Sequence, residues 1–159
     1  MEPALDLATK IYPNEIAYDY QITKKSILIV DDSIDNLAIL QATLEKTNRF
    51  RVTLAEDGQK AYELFKIEKF DLVLMDMQMP VLNGTESAMA MKTWEKKLTQ
   101  VKTPIIALTA ISIDSAPTGF DDYLLKPIDK DHLFAVLDRW ISSQPQKLRD
   151  KHSHPNFYL

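Results

Sequence analysis

The sequence predicts an α/β fold in which a five-stranded parallel sheet is covered by helices on both faces. Two observations carry that reading. From residue 26 onward, short aliphatic runs of strand length alternate with longer segments whose apolar residues recur at helical spacing. The runs are continuous rather than alternating, the pattern of strands buried on both faces, and strand–helix–strand repetition builds parallel sheets.

The elements follow in chain order. Residues 1–24 form an N-terminal extension that holds Pro3 and Pro13 but also Leu5, Ala8 and Tyr12 at helical spacing, which fits either a short helix or a partly ordered leader. Ser26–Val30 reads as a buried strand. Ser33–Lys46 reads as a helix with Ile34, Leu37, Leu40, Gln41 and Leu44 along one side and Asp32 or Ser33 as N-cap. Val52–Ala55 is a second strand, and Asp57-Gly58 opens a helix presenting Ala61, Leu64 and Phe65. Asp71–Met75 is a third strand, ending at Asp76. Residues 77–84 form a loop punctuated by Pro80 and Gly84, before a helix from Thr85 to Lys97 with Ala88, Met91 and Trp94 on one face. Pro104–Leu108 and Tyr123–Leu125 are the last strands. Asp129 caps a final helix with Leu133, Val136, Leu137, Trp140 and Ile141 inward, and residues 144–159 form a tail. One domain over residues 25–143 results. With five strands the flavodoxin-like order 2-1-3-4-5 is the natural choice, and its ligand crevice lies beyond the strand C-termini.

Composition narrows the function. The 159 residues carry 45% hydrophobic and 26% charged side chains, as in ordinary globular proteins, and no cysteine, which removes disulfides, zinc–thiolate sites and thiol nucleophiles. Ile27-Leu28-Ile29-Val30 and Leu72-Val73-Leu74-Met75 are far shorter than a membrane span, so no membrane association is expected. A formal net charge of −4 argues against broad nucleic-acid binding. A cytoplasmic location is the matching expectation.

The topology delivers Asp31 and Asp32 from strand 1, Asp76 from strand 3, Thr109 from strand 4 and Lys126 from strand 5 to one edge of the sheet. Carboxylates converging there repel one another, and a hard divalent cation such as Mg²⁺ removes that repulsion with an oxygen shell. Such a site, with a lysine and a hydroxyl nearby, suits phosphoryl groups, because phosphoryl transfer needs mostly positioning and charge neutralisation. A carboxylate can itself serve as nucleophile, giving an aspartyl phosphate.

Val30-Asp31-Asp32-Ser33, Leu74-Met75-Asp76-Met77-Gln78-Met79-Pro80 with Gly84, Ala107-Leu108-Thr109-Ala110, and Asp121-Asp122-Tyr123-Leu124-Leu125-Lys126-Pro127 together resemble the response-regulator receiver family of two-component signalling, the CheY-like domains. The separations fit too: 44 positions from Asp32 to Asp76, 33 on to Thr109 and 17 on to Lys126. The resemblance implies that Asp76 is the phospho-acceptor, served by a histidine kinase or histidine phosphotransfer protein. It implies that Asp32, Asp76 and the backbone carbonyl of Gln78 bind Mg²⁺ directly, with Asp31 acting mainly through coordinated water. Lys126 would pair with the phosphoryl group, its bond to Pro127 being cis. Thr109 and Tyr123 would form the switch pair, and Ala110 would leave space and offer its N–H. The domain would be a signalling phospho-acceptor and not a turnover enzyme.

One departure stands out. Relative to the resembled family, the stretch between Thr109 and Lys126 is short by about five residues, more than a helical turn. Ile111–Gly119 holds Pro117 and little periodicity, so the fourth helix of the fold is expected to be stunted or absent. That places the family's usual output surface in doubt and keeps open a docking module that ignores phosphorylation. A phosphatase of the haloacid-dehalogenase kind would need a second Asp where Gln78 stands. Flavin binding would set phosphate against Asp31-Asp32.

Overall fold

A computed structural model describes residues 24–98 and 101–142. The order of elements is β1 (Lys25–Val30), α1 (Ile34–Glu45), β2 (Phe50–Ala55), α2 (Gly58–Ile67), β3 (Leu72–Asp76), α3 (Gly84–Leu98), β4 (Ile105–Thr109), β5 (Asp122–Leu125) and α4 (Lys130–Ser142). The five strands pair in parallel in the order β2-β1-β3-β4-β5, as the sequence predicts. The segment around Leu5, Ala8 and Tyr12, and the tail 144–159, lie outside the described residues.

Continuous aliphatic runs become the central strands because both faces are covered. Ile27, Leu28, Ile29 and Val30 of β1 are all fully buried, each contributing about 1.5–3 kcal/mol relative to exposure. Ile27 and Ile29 point into one core cluster, with Leu37, Leu40 and Leu44 of α1 and Leu133, Val136 and Leu137 of α4. Leu28 and Val30 point into the other, with Ala61 and Phe65 of α2 and Ala88 and Met91 of α3. Caps fix where the helices begin. Ser33 Oγ accepts from Asn36 N at 3.3 Å, an Asp57 carboxylate oxygen from Lys60 N at 2.7 Å, and an Asp129 carboxylate oxygen from His132 N at 2.8 Å.

Two details depart from the sequence reading. β2 begins at Phe50, not Val52: Phe50 is buried and Arg51 exposed, an edge-strand alternation that the arginine disguised. Ile34 opens α1 but is 71% exposed, lining an open groove between α1, β2 and α2 instead of joining the core.

The crossover from β4 to β5 contains no helix, as its length and Pro117 predicted. It is held at its ends. Phe120 is buried in the second cluster, and its N–H donates to the Pro117 carbonyl at 3.0 Å. Gly119 has φ +89 and lies against Met89, where any side chain would be strained and crowded.

Candidate functional site

The C-terminal ends of β1 and β3 place Asp31, Asp32 and Asp76 together, with one carboxylate oxygen of each lying within 4.8 Å of the others. Asp31 is completely buried and Asp76 is 6% exposed, whereas Asp32 is open to solvent. Lys126, just past β5, reaches across: its Nζ lies 2.9 Å from Asp31 Oδ2 and 3.3 Å from Asp76 Oδ1. Its backbone N–H donates to the Thr109 carbonyl at 2.7 Å, which ties the lysine to the end of β4. The Lys126-Pro127 bond is cis.

Asp31 and Asp76 are held in place. Asp31 Oδ1 accepts from Ser33 N at 2.8 Å, and both Asp31 oxygens lie 3.3 Å from Asn36 Nδ2. Asn36 was missed by the sequence reading, although a polar residue one turn into the helix behind a paired Asp is the signal that points to it. Asp76 Oδ1 accepts from Gln78 N at 3.2 Å. Behind Asp76, a methyl group placed on Gly84 would come 2.1 Å from the Asp76 carbonyl oxygen, so glycine alone lets α3 begin against the end of β3.

The electrostatics are those of a crowded acidic pocket. Burial pushes the Asp76 carboxyl above its ordinary range and Asp31 adds to this, while the Gln78 N–H and Lys126 pull down without cancelling the rise. Burial alone would lower Lys126, but its hydrogen bond to Asp31 and the charges of Asp76 and Asp31 prevail and hold the ammonium above its usual value. The donor set fits a hard divalent cation. All its groups are oxygens, and their 4.8 Å spread is close to the roughly 4.2 Å between trans ligands of an octahedral Mg²⁺ shell.

The other residues singled out in the sequence stand around this centre. Thr109 ends β4, buried, and its hydroxyl is engaged with the crossover: Oγ1 accepts from Ile111 N at 3.1 Å and lies 3.3 Å from the Ile111 carbonyl. Ala110 follows it, exposed. Tyr123 on β5 pairs with Ala107 of β4 and packs half-buried against the second core cluster. Gln78 meets Asp76 through its N–H. Ile111 is 59% exposed.

Residues 27–138 match the family model described as the response regulator receiver domain. Among curated proteins, the chain is 39% identical over 119 residues to the sensor protein GacS of Pseudomonas syringae pv. syringae, a match covering 72% of this chain and 13% of that protein's length. The receiver domain of the sensor histidine kinase PA1611 from Pseudomonas aeruginosa, solved with a magnesium ion in its active-site cleft, superposes with a TM-score of 0.67 at 32% identity, covering 76% of this chain and 100% of that one. A structure of the Saccharomyces cerevisiae phosphotransfer protein Ypd1 with the receiver domain of the response regulator Ssk1 matches with a TM-score of 0.65 at 31% identity, over 75% of this chain and 90% of that one. With the fold, the strand-end acids and these relatives in agreement, the chain belongs to the response regulator receiver domain family of two-component signalling.

Proposed function

We propose that Asp76 takes a phosphoryl group from a histidine kinase or histidine phosphotransfer protein in a Mg²⁺-dependent reaction, and that residues 25–143 form the domain that does so. The observation that carries this reading is the meeting of three carboxylates within 4.8 Å with Lys126 bridging two of them. Mg²⁺ held by Asp32, Asp76 and the Gln78 carbonyl, with Asp31 acting through water, would neutralise the acids and the phosphoryl oxygens. An Asp76 carboxylate oxygen then forms the new P–O bond as the P–N bond of a phosphohistidine breaks and its electron pair returns to the imidazole. Lys126 keeps its contact with Asp31 and turns its charge to a phosphoryl oxygen. Thr109 releases Ile111 to donate to another, Ala110 leaves room and offers its N–H, and Tyr123 follows inward as the switch partner. A cytoplasmic location accords with such a donor.

The test is incubation with acetyl phosphate and Mg²⁺ followed by intact-mass measurement. One acid-labile phosphoryl group is expected on the parent and none on Asp76→Asn; equal labelling of the two would overturn the assignment. The absence of a helix in the β4–β5 crossover favours one second reading, a docking module indifferent to phosphorylation. Partner affinity unchanged between phosphorylated parent and Asp76→Asn would select it.

A further inference from the structure

Two segments distant in sequence, the start of α2 and the stretch from Leu82 to Ser87, interlock at the loop that follows Asp76. Ser87, in the first turn of α3 and fully buried, donates from Oγ to the carbonyl of Gly58 at 2.8 Å. Gly58, the first residue of α2, is also buried. A methyl group placed on it would lie 2.5 Å from the carbonyl oxygen of Leu82 and 3.0 Å from Ser87 Cβ. The Leu82 carbonyl is backbone, so it yields only if the loop moves. The Gly58–Ser87 pair therefore grips the β3–α3 loop at Leu82.

What the grip holds is strained. Val81, one residue earlier, has φ +71 and is 89% exposed. A β-branched residue in the left-handed region is an outlier that persists only where neighbouring structure enforces it. No burial of its own side chain stabilises that conformation. The loop is fixed upstream by Gln78 N on Asp76 Oδ1 and downstream by the cap of Asn83 Oδ1 on Glu86 N at 2.9 Å. Leu82 is the point next to the strained residue at which α2 approaches the loop backbone so closely that only glycine fits at position 58.

We infer that Gly58 and Ser87 are positioning residues for the phosphorylation site, holding Val81 in its strained conformation and so setting the Gln78 backbone against Asp76. The inference rests on the reading of Asp76 as acceptor but reaches residues of α2 and α3 that touch neither metal nor phosphoryl group. It predicts a coupling between Ser87 and Val81. If strain at Val81 is what the junction restrains, then asparagine, which tolerates the left-handed region, makes the restraint less necessary.

The experiment compares the parent, Ser87→Ala, Val81→Asn and the double variant, with Gly58→Ala as a harsher version. Measurements are amide exchange of residues 78–83 without metal, the Mg²⁺ dissociation constant by calorimetry, and the rate of labelling by acetyl phosphate. Ser87→Ala, which keeps the packing and loses one buried hydrogen bond, is expected to weaken Mg²⁺ binding and speed exchange of the loop by about three- to tenfold. In the Val81→Asn background both effects should shrink. Lower thermal stability in Ser87→Ala with Mg²⁺ affinity and loop exchange as in the parent would overturn the inference, as would strictly additive effects of the two substitutions. An unlabelled parent would fell the acceptor reading alone, because exchange measured without metal or phosphodonor still decides the junction.

Discussion

The two edges of the sheet use carboxylates in opposite ways. At the N-terminal edge, an Asp71 carboxylate oxygen accepts from Ser26 N at 2.7 Å and Asp121 Oδ2 from Ile105 N at 2.8 Å. Glu95 accepts from Thr103 N at 2.8 and 2.9 Å and from Thr103 Oγ1 at 2.6 Å. Lys25 and Lys92 pair with Asp71 and Asp121. Each acid there answers a backbone N–H that would otherwise lack a partner, so its charge is satisfied within the fold. At the C-terminal edge three acids crowd one another, sharing a single lysine and a few donors. The first arrangement holds strands in place; the second leaves the folded chain with negative charge that only a bound cation or a proton relieves. The proposed phosphorylation site sits where the fold does not satisfy its own charges.

The largest expected effect tests the satisfied edge. Glu95→Ala leaves the buried Thr103 N–H and hydroxyl without their acceptor and should cost about 3 kcal/mol in urea unfolding. Labelling of Asp76 should be unaffected at temperatures where both proteins are folded. A cost below about 1 kcal/mol would mean that water replaces Glu95 readily and that the contrast between the edges is overdrawn.

The crowded edge should respond with the opposite sign. Because burial raises the Asp76 carboxyl above its ordinary value, the folded chain binds a proton there more tightly than the unfolded one. Stability then falls as pH rises from about 4, the ordinary carboxylate value, through the raised one. Asp76→Asn removes this loss. In chelator it should match the parent at acid pH and exceed it near neutrality, read as a higher Tm. Adding Mg²⁺ should stabilise the parent more than the variant. A variant less stable than the parent at pH 7 without metal would show that Asp76 is satisfied after all.

What the sequence made legible follows the same division. Asp31, Asp32, Asp76, Thr109 and Lys126 were readable because each stands at the end of an apolar run, so strand topology alone brings them to one edge. The missing helix was readable from chain length and Pro117. The Gly58–Ser87–Leu82 junction was not, because it joins residues 29 positions apart through a backbone carbonyl and the absence of a Cβ, neither of which leaves a periodic trace. Ile34 misled because helical spacing marks a side of the helix without saying that anything covers it. The sequence marks Asp71 only as the start of a strand and Asp121 only as part of the motif that leads to Lys126; that they accept N–H groups of other strands depends on sheet register, which pattern cannot supply.

The smallest expected effect is the sharpest comparison, since it makes the same one-atom change at both edges. Asp71 Oδ2 accepts from Ser26 N, and Lys25 Nζ lies 3.7 Å from Oδ1 with its side chain about half exposed. Asparagine retains a carbonyl oxygen for the Ser26 N–H, so Asp71→Asn gives up only the charge. The ion pair is long and solvent-screened, and its loss should cost no more than about 0.5 kcal/mol, falling further in high salt. No dependence on Mg²⁺ should accompany it, because Asp71 lies at the far end of β3 from Asp76. Asp76→Asn also keeps an oxygen for the Gln78 N–H, yet it should stabilise the metal-free chain and abolish labelling. The two substitutions alter identical chemistry and differ only in whether the carboxylate was already satisfied. If Asp71→Asn stabilised the chain as much as Asp76→Asn, relief of general negative charge would explain both, and the distinction between the edges would fail.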